Sequence, residues 1–230
     1  MSLQTTTFTS ASELATVFSQ RIADILKQAI SERGRASLVV SGGSTPLPLF
    51  KALSIRAIDW SKVTITLADE RWVENTDAAS NEKLVRQNLL QDKASKANFI
   101  ALKTAHENAE DAVEQLTATF NKVGLPFDVV ILGMGEDGHT ASLFPCSAQI
   151  EAGLDVNSPA MLIATQPTTA PHQRMSFTLR ALVSSANVFL HLTGQKKRDV
   201  LQDALENYTD LEKPIKAVCD KTNVELMWAP

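Results

Sequence analysis

Asp137 and His139 lie two residues apart in a glycine-bearing segment, and this pair of side chains could perform acid–base chemistry. Imidazole titrates near neutral pH, so a positioned histidine is the commonest general base in enzymes. A nearby carboxylate can orient the ring and stabilise its protonated form. A lone loop histidine is usually just solvent-exposed. Here the segment follows the apolar run Asp128–Leu132 and contains Gly135 and Gly138, which favours a base presented at the end of a buried strand.

A second segment, Ser41–Thr45, has the composition of a phosphate-binding loop. Its glycines, Gly43 among them, would let the backbone approach a ligand closely, and the hydroxyls of Ser44 and Thr45 can donate hydrogen bonds. We expect Thr45 to be the N-cap and Pro46 the first residue of a helix with free N–H groups. The alternative is a plain strand-to-helix turn, although a cap alone does not require Gly-Gly-Ser before it.

Three cationic residues, Arg71, Arg174 and Lys197, are candidate partners for an anion. Arginine binds phosphate oxygens in bidentate fashion and lysine acts as a point charge. Each could equally be a solvated surface charge. Lys197, however, lies at the start of a predicted helix, where a cation opposes the helix dipole unless an anion is shared.

Other known catalytic patterns fit this sequence poorly. Gly133-x-Gly135-x-x-Gly138 matches the dinucleotide-binding fingerprint, but Pro145 interrupts the long helix that should follow it. No Gly-x-Ser-x-Gly motif of a serine esterase is present, and neither cysteine lies in a nucleophile motif. A mechanism that activates water is what remains.

The other three histidines are weaker candidates for chemistry. We expect His106 and His172 to be surface residues. His191 lies inside an apolar strand, and we expect it to be a buried or half-buried histidine with its hydrogen bonds satisfied.

The composition describes an ordinary globular protein of 230 residues, 44% hydrophobic and 21% charged. The net charge of -4 argues against a nucleic-acid binder. Cys146 and Cys219 form no zinc or disulfide pattern, so we expect ordinary thiols and no metal. The residues from Met1 to Ser10 do not resemble a signal peptide, and no apolar run could span a membrane. These features favour the cytoplasm.

Strand-like and helix-like segments alternate along the chain, which predicts a single α/β domain over residues 1–230 with a mostly parallel sheet. Four polar segments each follow a predicted strand: Ser41–Thr45, Asp69–Trp72, Gly133–Thr140 and Thr193–Lys197. Because ligands bind beyond the carboxyl ends of parallel strands, we expect these segments to converge on one site.

The motifs Ser41–Pro46, Asp69–Val73 and Gly133–Pro145 together resemble those of the 6-phosphogluconolactonase family. Thr193–Lys197 and Pro171-x-x-Arg174 fit the family as well, and the order and spacing agree over nearly the whole chain. The resemblance implies a three-layer α/β sandwich similar to the glucosamine-6-phosphate deaminase fold. It also implies hydrolysis of a small-molecule sugar-phosphate lactone in the oxidative pentose phosphate pathway, without a cofactor, by a monomer or weak homodimer.

The resemblance also implies roles for individual residues. His139 would be the general base that activates water, with Asp137 as its supporting carboxylate. Asp69 would be a site residue of undefined role, and Trp72 would only pack. The residues expected to hold the phosphate and ring oxygens are Gly43, Ser44, Thr45, Arg71, Arg174 and Lys197.

Two alternatives to the lactonase remain open at the level of the sequence. One is a sugar-phosphate isomerase or deaminase, but the deaminases have a glutamate where this chain has Phe144. The other is a phosphosugar-binding module without activity. Such a module would be expected to lack the base, whereas His139 and Asp137 are both present.

Overall fold

The computed structural model describes residues 3–230 and contains a parallel sheet of seven strands. Helices flank this sheet. The α/β class and the mostly parallel sheet are therefore confirmed. The ten strands of the described chain are β1 (Leu3–Thr7), β2 (Ala36–Val40), β3 (Val63–Leu67), β4 (Asp69–Arg71), β5 (Asn98–Ile100), β6 (Val129–Leu132), β7 (Leu162–Thr165), β8 (Arg174–Phe177), β9 (Val188–Thr193) and β10 (Val224–Ala229). The strand order of the parallel sheet is β1-β10-β9-β6-β2-β3-β5.

A smaller antiparallel sheet, ordered β4-β8-β7, lies beside the parallel one. The sequence predicted Asp69–Trp72 to be a segment following a strand, but residues 69–71 form a strand of their own. Ala68 makes the transition between the two sheets. Its N–H donates to the carbonyl of Val40 in β2, and its carbonyl accepts from the N–H of Phe177 in β8. The chain therefore passes from one sheet to the other within one residue.

The helices follow the apolar periodicity of the sequence. Ser10 caps the first helix by accepting from the N–H of Glu13, and Gly34 ends it with a φ of 72°. The helices are α1 (Ala11–Arg33), α2 (Leu47–Ser54), α3 (Asn81–Asn88), α4 (Val113–Val123), α5 (Ile150–Leu154), α6 (Leu179–Val183), α7 (Gln195–Asn207) and α8 (Pro214–Lys221), with 3₁₀ turns at Trp60–Lys62, Asp92–Lys96 and Glu110–Ala112.

Several elements were not predicted from the sequence. β1 is a polar edge strand without an apolar alternation, α5 and α6 have five residues each, and α8 is a short helix of eight. The prediction about a signal peptide covered residues 1–10, of which the first two lie outside the described residues. Within residues 3–230, no helix is long and apolar enough to cross a membrane.

Burial of the central strands supplies most of the core. Every residue of β2 and of β6 is buried, as expected for parallel strands covered on both faces. The buried hydrophobic residues form a contiguous cluster that extends along the chain from Phe8 to Ala229. The single-domain organisation over residues 1–230 stays a prediction.

Glu70 in β4 is fully buried and joins the small sheet to α3. One carboxylate oxygen accepts from the backbone N–H groups of Arg71 (2.7 Å) and Asn81 (2.8 Å). The other accepts from the N–H of Glu82 (2.7 Å) and the hydroxyl of Ser80 (3.2 Å). Burial raises the pKa of Glu70, although the three N–H bonds oppose this. The start of α3 is thereby fixed relative to β4.

We expect Glu70→Gln to lower the free energy of unfolding by about 1–3 kcal/mol, because the amide nitrogen would face N–H donors that need an acceptor. Urea denaturation measures the change. Glu74→Gln is the matched control, since the Glu74 side chain is 82% exposed, and it should change stability by less than about 0.5 kcal/mol. Equal stabilities for the two variants would contradict the role given to Glu70.

Candidate active site

A cavity of about 430 Å³ opens at the carboxyl ends of the parallel strands. All four polar segments predicted to converge contribute to its lining, which confirms that expectation. Asp137 does not line the cavity but contacts His139, which does. The predicted site residues in the lining are Gly43, Ser44, Thr45, Asp69, Arg71, His139, Arg174 and Lys197.

His139 and Asp137 form a close side-chain pair in the turn after β6. Nδ1 of His139 lies 2.5 Å from Oδ1 of Asp137, which also accepts from the backbone N–H of His139 (3.2 Å). Burial opposes ionisation of Asp137, but the hydrogen bonds and charge of His139 outweigh it and lower the pKa of Asp137. The carboxylate therefore occupies Nδ1 and leaves Nε2 as the ring nitrogen for chemistry.

Phe144 stacks on the imidazole of His139, with ring centroids 4.0 Å apart and an interplanar angle of 24°. The guanidinium carbon of Arg174 lies 5.6 Å from the centroid of the same phenyl ring. Phe144 is 5% exposed. One face of the His139 imidazole is thus covered by an apolar ring.

The Ser41–Thr45 loop leads from β2 into α2, and Gly43 in it has a φ of 94° that a side chain would strain. The prediction that Thr45 caps the helix is wrong. The N-cap is Pro46, and no side chain caps α2. Since the chain enters α2 one residue later than its composition suggests, the Thr45 hydroxyl is not used as a cap. Thr45 itself lines the cavity.

Lys197 lies in the first turn of α7, which also begins without a side-chain cap, at Gly194. Its Nζ donates to the carbonyl of Met134 (2.7 Å), which leaves two N–H donors for a ligand. Burial lowers the pKa of Lys197, although Glu136 and Asp137 oppose this. Two uncapped helix starts and a half-buried ammonium thus lie at one cavity, an arrangement that suits an anion. The neighbouring Lys196 is exposed.

Arg71 and Arg174 are direct cross-strand neighbours in the antiparallel pair β4 and β8. The Nε of each is buried without a hydrogen-bond partner in the described chain. Burial, followed by the charge of Arg71, lowers the pKa of Arg174, while Asp69 and Glu70 oppose the shift. Nη1 of Arg71 donates to the carbonyl of Ala79 (2.7 Å), and Nη2 of Arg174 donates to the carbonyl of Pro171 (3.1 Å). The other terminal nitrogens of the two guanidinium groups form a second place at which an anion or a carbonyl oxygen can bind.

Asp69 is buried and connects the small sheet to the loop that contains His139. Its Oδ2 accepts from the hydroxyl of Ser142 (2.5 Å), and its backbone carbonyl accepts from the side-chain amide of Asn81 (2.9 Å). Ser142 lies three residues after His139. Asp69 therefore has a positioning role in addition to its place in the cavity lining.

Two cavity residues were missed or misread from the sequence. Asn81 lines the cavity and is 2% exposed. A methyl group at Gly42 would lie 1.9 Å from Oδ1 of Asn81, so the close approach of Asn81 to the loop depends on the glycine. No local pattern marks Asn81 as a site residue.

The side chain of His191 was expected to have its hydrogen bonds satisfied, but its Nδ1 is buried without a partner in the described chain. His106 is half-buried, whereas His172 is exposed, as predicted.

The fold and the site together define an α/β protein whose cavity is lined by Arg71, Arg174 and Lys197 and contains the close His139–Asp137 pair. Residues 9–228 match the family model of glucosamine-6-phosphate isomerases/6-phosphogluconolactonase. A 6-phosphogluconolactonase of Rhizobium meliloti is 41% identical over 225 residues, which cover 97% of both chains. The chain therefore belongs to the glucosamine-6-phosphate isomerase/6-phosphogluconolactonase family.

Solved structures agree with this assignment. A 6-phosphogluconolactonase from Shewanella baltica superposes with a TM-score of 0.96 at 47% identity, covering 100% of this chain and 98% of that one. A monomeric glucosamine-6-phosphate deaminase superposes with a TM-score of 0.80 at 16% identity, covering 99% of this chain and 97% of that one. The second likeness shows the shared fold.

We expect Gly135→Ala to lower kcat by about 10²-fold or more without unfolding the protein. The added methyl would lie 2.2 Å from Nδ1 of His139 and 2.5 Å from Oδ1 of Asp137, and a displacement of about 1 Å in a catalytic group has an effect of this size. Gly133→Ala is the matched control in the same turn, because a methyl there meets no atom within 4 Å. Steady-state kinetics and circular dichroism of both variants test the expectation, which fails if they have equal kcat.

Proposed function

We propose that this protein hydrolyses 6-phosphoglucono-δ-lactone to 6-phosphogluconate. The observation that supports this most directly is the His139–Asp137 pair in a cavity that also contains Lys197, Arg71 and Arg174. The substrate has one phosphate to bind and one lactone carbonyl to attack, which matches a cavity with cations and one base. The names of the relatives agree with this assignment.

In the proposed mechanism, Nε2 of His139 accepts a proton from water as the water oxygen attacks C1 of the lactone. Asp137 holds the ring by Nδ1 and stabilises the imidazolium that forms. The C1–ring oxygen bond then breaks, and the imidazolium returns the proton to the departing oxygen, which becomes the C5 hydroxyl. Guanidinium donors of Arg71 or Arg174 would stabilise the negative charge on the carbonyl oxygen.

The contact between Phe144 and His139 argues against the deaminase chemistry found in the same family. A deaminase must open and rearrange an amino sugar through several proton transfers, and its additional glutamate would occupy the position of Phe144. Here that position holds a ring stacked at 4.0 Å. Hydrolysis by one base and its carboxylate needs no further proton donor at this point.

We expect His139→Ala to lower kcat for lactone hydrolysis by a factor on the order of 10²–10⁴, because the general base is removed. Asp137→Asn should lower kcat with little change in KM, since it alters the orientation of the base and leaves the anion site intact. The assay follows acid release from freshly prepared 6-phosphogluconolactone, after subtraction of the spontaneous rate.

Two outcomes would contradict different parts of the proposal. Wild-type protein that does not exceed the spontaneous rate would refute the activity. An active His139→Ala variant would refute the mechanism and leave the activity standing.

We further expect Lys197→Ala to raise KM about tenfold or more with kcat changed much less, because a charged hydrogen bond to the bound phosphate is lost. Lys196→Ala is the matched control. Lys196 is the adjacent residue of α7, but its side chain is 72% exposed and pairs with Glu136. The same KM in both variants would remove Lys197 from the phosphate site.

A further inference from the structure

His191 is a buried histidine that has no role in the mechanism described above. It lies near the carboxyl end of β9, beside Met227 of β10, and is 4% exposed. Its Nδ1 has no hydrogen-bond partner in residues 3–230. A buried imidazole with an unused nitrogen lowers stability relative to an apolar side chain of similar size. Packing alone therefore does not account for a histidine at this position.

His191 lines the same cavity as the Ser41–Thr45 loop. Its ring contacts Phe18 of α1 edge to face, with centroids 5.8 Å apart, so it lies on the face of the sheet that α1 covers. α2, which follows the loop, packs against α1 as well. The ring also lines the cavity together with Thr193 and Lys197.

A neutral His191 ring can donate a hydrogen bond to an anion whose charge is already balanced by cations. Burial lowers its pKa to about 4, so the free protein holds a neutral imidazole at physiological pH. A neutral ring has one N–H donor and one acceptor. Lys197 and the helix starts supply the positive charge, and the imidazole adds a directional hydrogen bond without a further buried charge.

We propose that His191 is a phosphate-binding residue, whose Nε2–H donates to an oxygen of the phosphate monoester held by the Ser41–Thr45 loop and Lys197. Nδ1 is buried, so Nε2 is the ring nitrogen that can reach a ligand in the cavity. This inference extends the proposed function, because it takes the ligand of that loop to be the substrate's phosphate. It adds a donor from β9 to those of the loop and of Lys197.

The test compares His191→Phe, which keeps an aromatic ring against Phe18 but has no N–H, with His191→Gln, which keeps an N–H donor. Calorimetry measures the Kd of 6-phosphogluconate and of inorganic phosphate for the wild type and both variants. We expect His191→Phe to weaken both ligands by about tenfold or more and His191→Gln to recover part of the loss. In kinetics, His191→Phe should raise KM and change kcat little.

A direct spectroscopic readout separates ligand binding from a structural role. In long-range ¹H–¹⁵N spectra of the wild type, the His191 ring signals, assigned from their absence in either variant, should shift on addition of inorganic phosphate. This measurement does not depend on the stability of the variants. Unfolding temperatures identify any variant whose Kd reflects loss of folded protein.

The inference is overturned if the His191 signals do not respond to phosphate, or if a folded His191→Phe variant binds both ligands as tightly as the wild type. An effect on 6-phosphogluconate without one on inorganic phosphate also overturns it, since the contact would then be with the sugar chain. Failure of the proposed function gives a different result. In that case lactone hydrolysis by the wild type stays at the spontaneous rate, while phosphate still shifts the His191 ring signals.

Discussion

Arg71 and Arg174 face each other across β4 and β8, and the free energy of holding two like charges side by side constrains much of the surrounding structure. Like charges directly opposite in an antiparallel pair are destabilising, and Arg174 is only 5% exposed. Two acidic residues of β4 offset the repulsion between the two arginines. Asp69 and Glu70 are both buried there, and neither forms an ion pair with the arginines within the described chain, because their oxygens accept from Ser142 and from the start of α3. The guanidinium donors that do not bind the carbonyls of Ala79 and Pro171 thus remain available to a ligand.

This arrangement explains why the small antiparallel sheet exists beside the parallel one. A parallel sheet alone presents loops at its carboxyl edge, and loops hold side chains less rigidly than strands do. The change of sheet at Ala68 brings residues 69–71 into register with 174–176. The arginines are then fixed by a ladder of backbone hydrogen bonds. The Ser41–Thr45 loop and Lys197, by contrast, belong to the parallel sheet and its helices, so the two groups of donors reach the cavity from different sheets.

Much of this could be predicted from the sequence where the signal was local. The apolar run Asp128–Leu132 correctly predicted a buried strand, β6, since burial on both faces needs continuous apolar residues. The strand formed by residues 69–71 was missed because its pairing partner lies about a hundred residues away and its own composition is charged. Asn81 was missed for a similar reason, since it enters the cavity only because Glu70 fixes the start of α3.

The turn that contains His139 shows how far the local sequence determines a functional geometry. Its glycines and the Asp137 spacing are visible in the sequence, but the turn is held by distant groups. The N–H of Ile215 at the start of α8 donates to the carbonyl of Gly138 (2.9 Å), and the side chain of Lys213 packs where a Gly138 side chain would lie. On the other side, Ser142 is bound by Asp69. The turn of His139 is therefore held from α8 and from the small sheet. Because a catalytic group must be held to within about half an ångström, the role proposed for His139 depends on these contacts as much as on its own side chain.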